Sequence, residues 1–148
     1  MATNPLIAQG TLNRLRGSVV VPSFSTLNVT SPYLGKAGIK LSLDGETTTM
    51  IPSMTGTVTS PEPYQMASVT MDILKTNGLA ALYKAQMEDN SVIGNITVIP
   101  DTSALPTYQM INCAIESVRE LDFAGENASF MVTLRGYYVT NSALWDLL

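Results

Sequence analysis

Apolar and polar residues take turns along several stretches of this chain. From Gly38 to Leu43, Ile39, Leu41 and Leu43 alternate with Lys40 and Ser42, and from Gln65 to Leu74, Ala67, Val69, Met71 and Ile73 alternate with Ser68, Thr70 and Asp72. A period of two sends successive side chains to opposite faces of a strand, so both stretches are predicted strands with one buried and one polar face. β-branched runs add further strands at Gly17 to Pro22, Leu27 to Thr30 and Ser91 to Ile99. In Thr107 to Val118, Ile111, Cys113 and Ile115 are expected on one face and Asn112, Ala114 and Glu116 on the other. The run from Ala128 to Thr140 has Phe130, Val132, Leu134 and Tyr138 on one side but also Met131, Tyr137 and Val139 on the other.

Turn residues divide these strands. Asp44-Gly45 fits the tight two-residue turn of a hairpin joining Gly38–Leu43 to the threonine-rich Glu46–Ile51. Pro52 to Pro63 holds several prolines and a glycine, which predicts a long polar excursion without a regular strand through it, of the kind that serves as a binding arm. Ala124 to Asn127 turns the last two long strands into a hairpin. Helical spacing occurs once, where Leu79, Leu82, Tyr83 and Met87 form a stripe after Thr76 or Asn77 as a cap, with Lys84, Glu88 and Asp89 off it. Seven or eight strands, long hairpins and one helix predict a mainly β fold, an antiparallel β-barrel or sandwich with the helix packed on its flank, in one domain over residues 1–148.

Composition changes the picture in one direction. Charged residues make up 14 % of the 148 residues and apolar types 45 %, against about 25 % charged in ordinary soluble domains. Apolar side chains on both faces of a strand then call for cover supplied by neighbouring copies. The chain has no histidine and one cysteine, which removes imidazole chemistry and internal disulfides. A net charge of −4 argues against tight binding to a phosphate backbone. The opening Met-Ala-Thr-Asn-Pro has no basic start and apolar run, and no apolar stretch is long enough for a helical span, so the expectation is a cytosolically made chain without membrane insertion.

Little remains for catalysis. The carboxylate pairs Asp72 with Glu116 and Glu88 with Asp89 read as solvated strand and helix-end residues, Asp44-Gly45-Glu46 lacks the other ligands of a calcium loop, and Cys113 reads as a small buried hydrophobe. The triplets at Asn28, Asn95 and Asn127 match the glycosylation pattern without a secretory signal. No enzyme activity, cofactor or metal is expected, and function falls to surface and shape. The apolar tail Leu144, Trp145, Leu147 and Leu148 is a candidate subunit contact, so residues 1–16 and 142–148 are the interaction-prone termini.

Met-Ala-Ser-Val-Thr-Met-Asp-Ile-Leu from Met66, then Leu-Ala-Ala-Leu-Tyr-Lys-Ala, then Gly-Asn-Ile-Thr-Val-Ile ending at Ile99 place a strand, a lone helix and a strand after a hairpin arm and before a closing hairpin. In this layout the chain resembles the inner tail tube proteins of tailed bacteriophages, particularly those with contractile tails. The resemblance implies hexameric rings stacked into a virion tail tube, assembled in the host cytoplasm, through which viral DNA passes without specific binding. It also implies sheath, baseplate, tail terminator and tape measure proteins as partners. It implies an arm over about residues 44–63 reaching an adjacent ring, carried here by Asp44, Glu46, Met50, Ile51, Met54, Val58 and Glu62. The implied lumen takes the polar strand faces, Lys40, Ser42, Ser68, Thr70, Asp72, Asn112, Glu116, Thr133 and Arg135, whose hydroxyls and slight acidity let DNA slide. Lys40 and Arg135 are expected to pair with Asp72 and Glu116, or else to sit on strands whose faces are reversed.

Two other readings fit the same residues. One is a related ring-forming tail component: a terminator, a baseplate adaptor, or the tube of a bacteriocin or secretion particle. The other is a small ligand-binding barrel in which Trp145, Tyr137 and Tyr138 stack on a sugar or base.

Overall fold

The structure, a computed structural model, describes residues 6–10 and 15–147, with the backbone alone for residues 145–147. Its strands are β1 (Gly17–Val20), β2 (Leu34–Leu43), β3 (Thr48–Pro52), β4 (Thr57–Pro61), β5 (Tyr64–Leu74), β6 (Val92–Pro100), β7 (Tyr108–Arg119) and β8 (Ser129–Val139), with one α-helix, α1 (Leu79–Asp89). Six strands form an antiparallel sheet in the order β1-β6-β7-β8-β5-β2. Its centre is β5 against β8, paired without interruption from Tyr64↔Val139 to Leu74↔Ser129.

Alternation explains the core. Ala67, Val69, Met71 and Ile73 of β5 and Phe130, Val132 and Leu134 of β8 all point inward and are buried, joined by Val19, Ile93, Ile96, Met110 and Ile115 from the other strands. Each fully buried side chain of this size is worth about 1.5–3 kcal/mol over leaving it in water. The sheet curls until its edges approach: a Cβ added to Gly17 of β1 would lie 3.6 Å from Ile39 Cδ1 of β2. Val29 occupies the free edge of β1, the two residues exchanging N–H···O bonds of 2.9 Å. The barrel is thus nearly closed, and between β1 and β2 runs an open cleft of about 1210 Å³.

An irregularity in β2 helps to hold that seam open. The register jumps from Leu34↔Ile73 to Ile39↔Met71, so residues 35–38 stand opposite Asp72 alone. Asp72 is buried under this bulge, where its Oδ2 accepts the Ala37 N–H at 3.2 Å. A Cβ on Gly35 would fall 2.5 Å from the same oxygen, and Gly38 turns the chain back with φ of +65°.

Three elements differ from the sequence expectation. Asp44-Gly45 does not join a hairpin of its flanking strands: β2 pairs with β5, and β3 pairs instead with β4 in a separate two-stranded sheet. Pro52–Pro63 is accordingly not a strandless excursion, because Thr57–Pro61 is β4 and Pro52 and Pro61 lie at the ends of the ladder, where the missing N–H costs least. The expected strand at Leu27–Thr30 is a 3-10 turn, Ser25–Leu27, followed by the bridge at Val29.

Helix α1 packs beside that turn. Leu79 and Tyr83 are buried, and the Tyr83 hydroxyl donates to the Leu27 carbonyl at 2.7 Å. Burial pushes the Tyr83 pKa upward. Gly78 and not Thr76 or Asn77 is the N-cap, but Asn77, one residue before it, accepts the Leu79 N–H on its Oδ1 at 3.1 Å. Leu82 and Met87, expected in the buried stripe, are exposed, because the helix meets its neighbours along a narrower line than the stripe. Among the described residues no helix is long and apolar enough to cross a membrane.

Candidate assembly surfaces

The outward face of the β2-β5-β8-β7 sheet collects most of the residues expected on a polar wall. Register places Ser42, Ser68, Arg135 and Ala114 in one row across four strands, and Lys40, Thr70, Thr133 and Ser117 in the next. Hydroxyls fill half of the first row and three of the four positions of the second. Toward the end where β2 leaves the sheet the face turns apolar, with Met66 opposite Tyr137, Tyr137 opposite Ile111, and Tyr64 stacked edge-on against Tyr137 at 5.7 Å. Tyr138, on the inward side, contacts Tyr108 rather than Tyr137.

Three of the expected wall residues stand apart from these rows. Asp72 is buried beneath the β2 bulge. Asn112 and Glu116 are exposed but lie where β7 carries an extra residue against β8, between Ile111 and Ala114 and between Ile115 and Ser117. Asn112 adopts φ of +54°, and its backbone N–H goes to Asn95 Oδ1 at 3.2 Å. The bulges also change the face expected for this strand: Met110, Cys113 and Ile115 point inward, whereas Ile111 joins the outward face.

The charges on this face pair differently from the expectation. Arg135 is on the outward face as read, but its Nη2 bonds Asp44 Oδ2 at 2.7 Å, not Asp72 or Glu116. Asp72 and Glu116 sit on strands separated by β8, and Glu88 is held by Lys84 at 2.6 Å. Cys113 is buried, and its burial pushes the thiol pKa up to about 11 against a smaller opposing effect of a backbone hydrogen bond at Ile96. Each asparagine of the three glycosylation-like triplets accepts a backbone N–H: Asn28 from Val21, Asn95 from Asn112 and Asn127 from Ser129.

The arm between β2 and β5 is built from β3 and β4, paired from Thr48↔Pro61 to Pro52↔Thr57 and closed by the Ser53 N–H on the Gly56 carbonyl at 2.7 Å. Its tip is apolar and open to solvent: Met50, Ile51 and Val58 are exposed, and Met54 is 101 % exposed. Its root is clamped. The buried Gln65 amide donates to the carbonyls of Asp44 and Gly45 at 3.2 and 3.1 Å and accepts the Thr47 hydroxyl at 3.0 Å. Asn141, at φ of +51°, donates from one Nδ2 to Thr47 O at 3.0 Å and Glu62 O at 2.7 Å, so it holds both strands of the arm. Thr140 Oγ1 adds a 2.6 Å bond to Glu62 O, and Thr49 Oγ1 reaches Glu62 Oε1 at 3.3 Å. Asp44 and Glu62 therefore belong to the root, Glu46 is exposed beside it, and Met50, Ile51, Met54 and Val58 form the free end.

Gln65, Thr140 and Asn141 were not among the expected site residues. Gln65 had a signal, since it shares the inward phase of Ala67 and Val69 and an amide there needs buried partners. At the other terminus the chain ends in a 3-10 segment, Ser142–Leu147, on which Leu144 is exposed. The side chains of Trp145 and Leu147, and Leu148 as a whole, lie outside the described residues.

No family model matches this chain, and no curated protein matches it. Among solved structures it is similar to a chain of the anti-feeding prophage cap, the AFP tube terminating cap, seen by cryo-electron microscopy. The two share 13 % identity with a TM-score of 0.47, over 93 % of this chain and 97 % of that one. A likeness at that level assigns neither a family nor a role.

Proposed function

We propose that this chain is a structural subunit that assembles with copies of itself into a phage-type tail tube, hexameric rings stacked into a conduit for DNA. The observation that carries the reading is the arm, polar and clamped at its root but apolar and fully exposed at its tip. A monomer gains nothing by holding Met54, Ile51 and Val58 in water on a rigid stalk. A neighbour that covers them recovers the hydrophobic free energy.

The outward sheet face supports the same reading. Its two rows of hydroxyls around Lys40 and Arg135 offer weak, exchangeable hydrogen bonds and few cations, so a phosphate backbone passing along them would release few counterions and hold on loosely. The apolar end of that face, at Tyr64, Met66 and Tyr137, suits contact between subunits within a ring. Sheath, terminator, baseplate and tape measure proteins would then be the remaining partners, and the virion tail the location.

Negative-stain electron microscopy of the purified chain tests this directly. Long hollow polymers are expected. Single closed rings would instead assign the chain to a terminator or adaptor, and a monodisperse 15.9 kDa species at high concentration would exclude assembly altogether.

A further inference from the structure

We infer that the seam cleft between β1 and β2 is the receptor for the arm tip of a second copy. This rests on the polymer reading above and names the surface that receives the arm. The cleft walls are apolar, formed among others by Leu34, Ile39, Val98, Leu105 and Tyr108. At about 1210 Å³ it has room for several side chains. The arm of the same copy does not fill it, because Met54 at the tip is fully exposed.

Charge selects the occupant. Among the described residues, the charged side chains lining the cleft are Arg16 and Lys36, both cationic and both exposed. Asp101 stands just outside, its Oδ1 already accepting the Arg16 backbone N–H at 3.0 Å. The arm from Asp44 to Pro63 carries Asp44, Glu46 and Glu62 and no Lys or Arg. An apolar tip, on an arm that carries its three carboxylates near the root and no cation, meets an apolar slot with a basic rim, so no like charge opposes the junction. Of the two apolar termini, residues 1–14 carry one charged side chain, Arg14, which would bring like charge to the rim, and residues 142–148, which carry Asp146, are told apart from the arm by the cross-link from position 54.

Arm and cleft are different surfaces of one chain, so the contact is heterologous: each copy gives an arm and takes one, and the series continues until something blocks an end. The glycines at 35 and 38 and the buried Asp72 serve this contact by keeping β2 from closing on β1.

The test uses the full chain with a photoreactive phenylalanine analogue in place of Met54, mixed with isotopically labelled wild-type chain and irradiated in the assembled state. Cross-links from position 54 to Ile39, Leu105 or Tyr108 of the other copy are expected. Cross-links to residues 6–10, to the outward sheet face or within one copy would overturn the cleft as receptor while leaving the polymer reading intact. Failure of the wild-type chain to polymerise at all would overturn the polymer reading itself. A second arm avoids the substituted tip: Lys36→Glu and Leu105→Asp, both at exposed positions, are expected to leave melting unchanged and raise the concentration needed for polymerisation by about tenfold or more. Unchanged polymerisation in both would overturn the inference. Mixing Met54→Asp with Leu105→Asp is expected to give paired rings and nothing longer, since each ring then has one working surface.

Discussion

The β5–β8 pair and the β3–β4 pair are both antiparallel ladders in unbroken register, and they obey opposite economies. In the first, every inward residue from Ala67 to Ile73 is buried against Phe130, Val132 and Leu134. In the second, Met50, Ile51 and Val58 stay exposed, and among the described residues no layer covers either face. An isolated two-stranded hairpin is marginal in water at best. The arm keeps its shape because four side chains from outside it or at its base, Gln65, Thr140, Asn141 and Arg135, tie its root. One ladder is held by packing along its length, the other by hydrogen bonds at one end. Packing supplies stability, whereas the clamp supplies direction.

Substitutions separate the two. The largest effect is expected in the central pair, where Phe130→Ala removes a fully packed ring and should cost about 3–5 kcal/mol, read as the urea midpoint. Gly136→Ala is a related break: its Cβ would fall 2.8 Å from the Ile111 carbonyl and against the Cys113 sulfur, and overpacking of this kind costs about 1–3 kcal/mol. At the root, Gln65→Leu leaves the Asp44 and Gly45 carbonyls without their donor, an expected loss of about 1–3 kcal/mol. It should also speed proteolysis within residues 45–62 far more than elsewhere, and Asn141→Ala should do the same with a smaller loss of stability. If proteolysis rises uniformly instead, the root is not a separate clamp.

A milder probe of the core is pH. The folded Cys113 pKa is raised to about 11, above an unfolded value of about 8.5. Its contribution is therefore complete below about 8.5 and is lost as pH rises through about 11. Cys113→Ala should flatten that part of the stability profile, leaving the slope that the raised Tyr83 adds at higher pH. The smallest effect on folding is expected at the tip: Met54→Asp should change stability by less than about 0.5 kcal/mol. It should nevertheless abolish polymers in the electron microscope, and that pairing of outcomes sharpens the contrast most.

The two regions also differ in how far their residues announced them. Strict alternation in 65–74 and the two-faced run at 128–140 marked the central strands, because burial on one side leaves a period of two in the residues themselves. The partner of β2 left no local mark. Asp44-Gly45 has the composition of a tight turn, yet the bonds of β2 go to β5 across the whole arm, a pairing settled by tertiary fit. The bulges at Asn112 and Glu116 were equally silent, since one extra residue moves every following side chain to the other face without altering local preference. On the outward wall, hydroxyl positions on unbroken strands were legible, while Asp72 was displaced by a glycine-rich bulge in a different strand.

The arm leaves the sheet between two strands that are already neighbours, with the Asp44 N–H still bonded to the Met66 carbonyl at 2.7 Å. Everything past that point is an insertion in a connection that a short turn could make. Residues added or removed two facing pairs at a time would keep each side chain on its face and leave the barrel unaware of the change. Arm length is thus set by what the tip has to reach and not by the fold of its own chain, and it can be changed in steps of two ladder rungs while the clamp at Gln65 and Asn141 is kept.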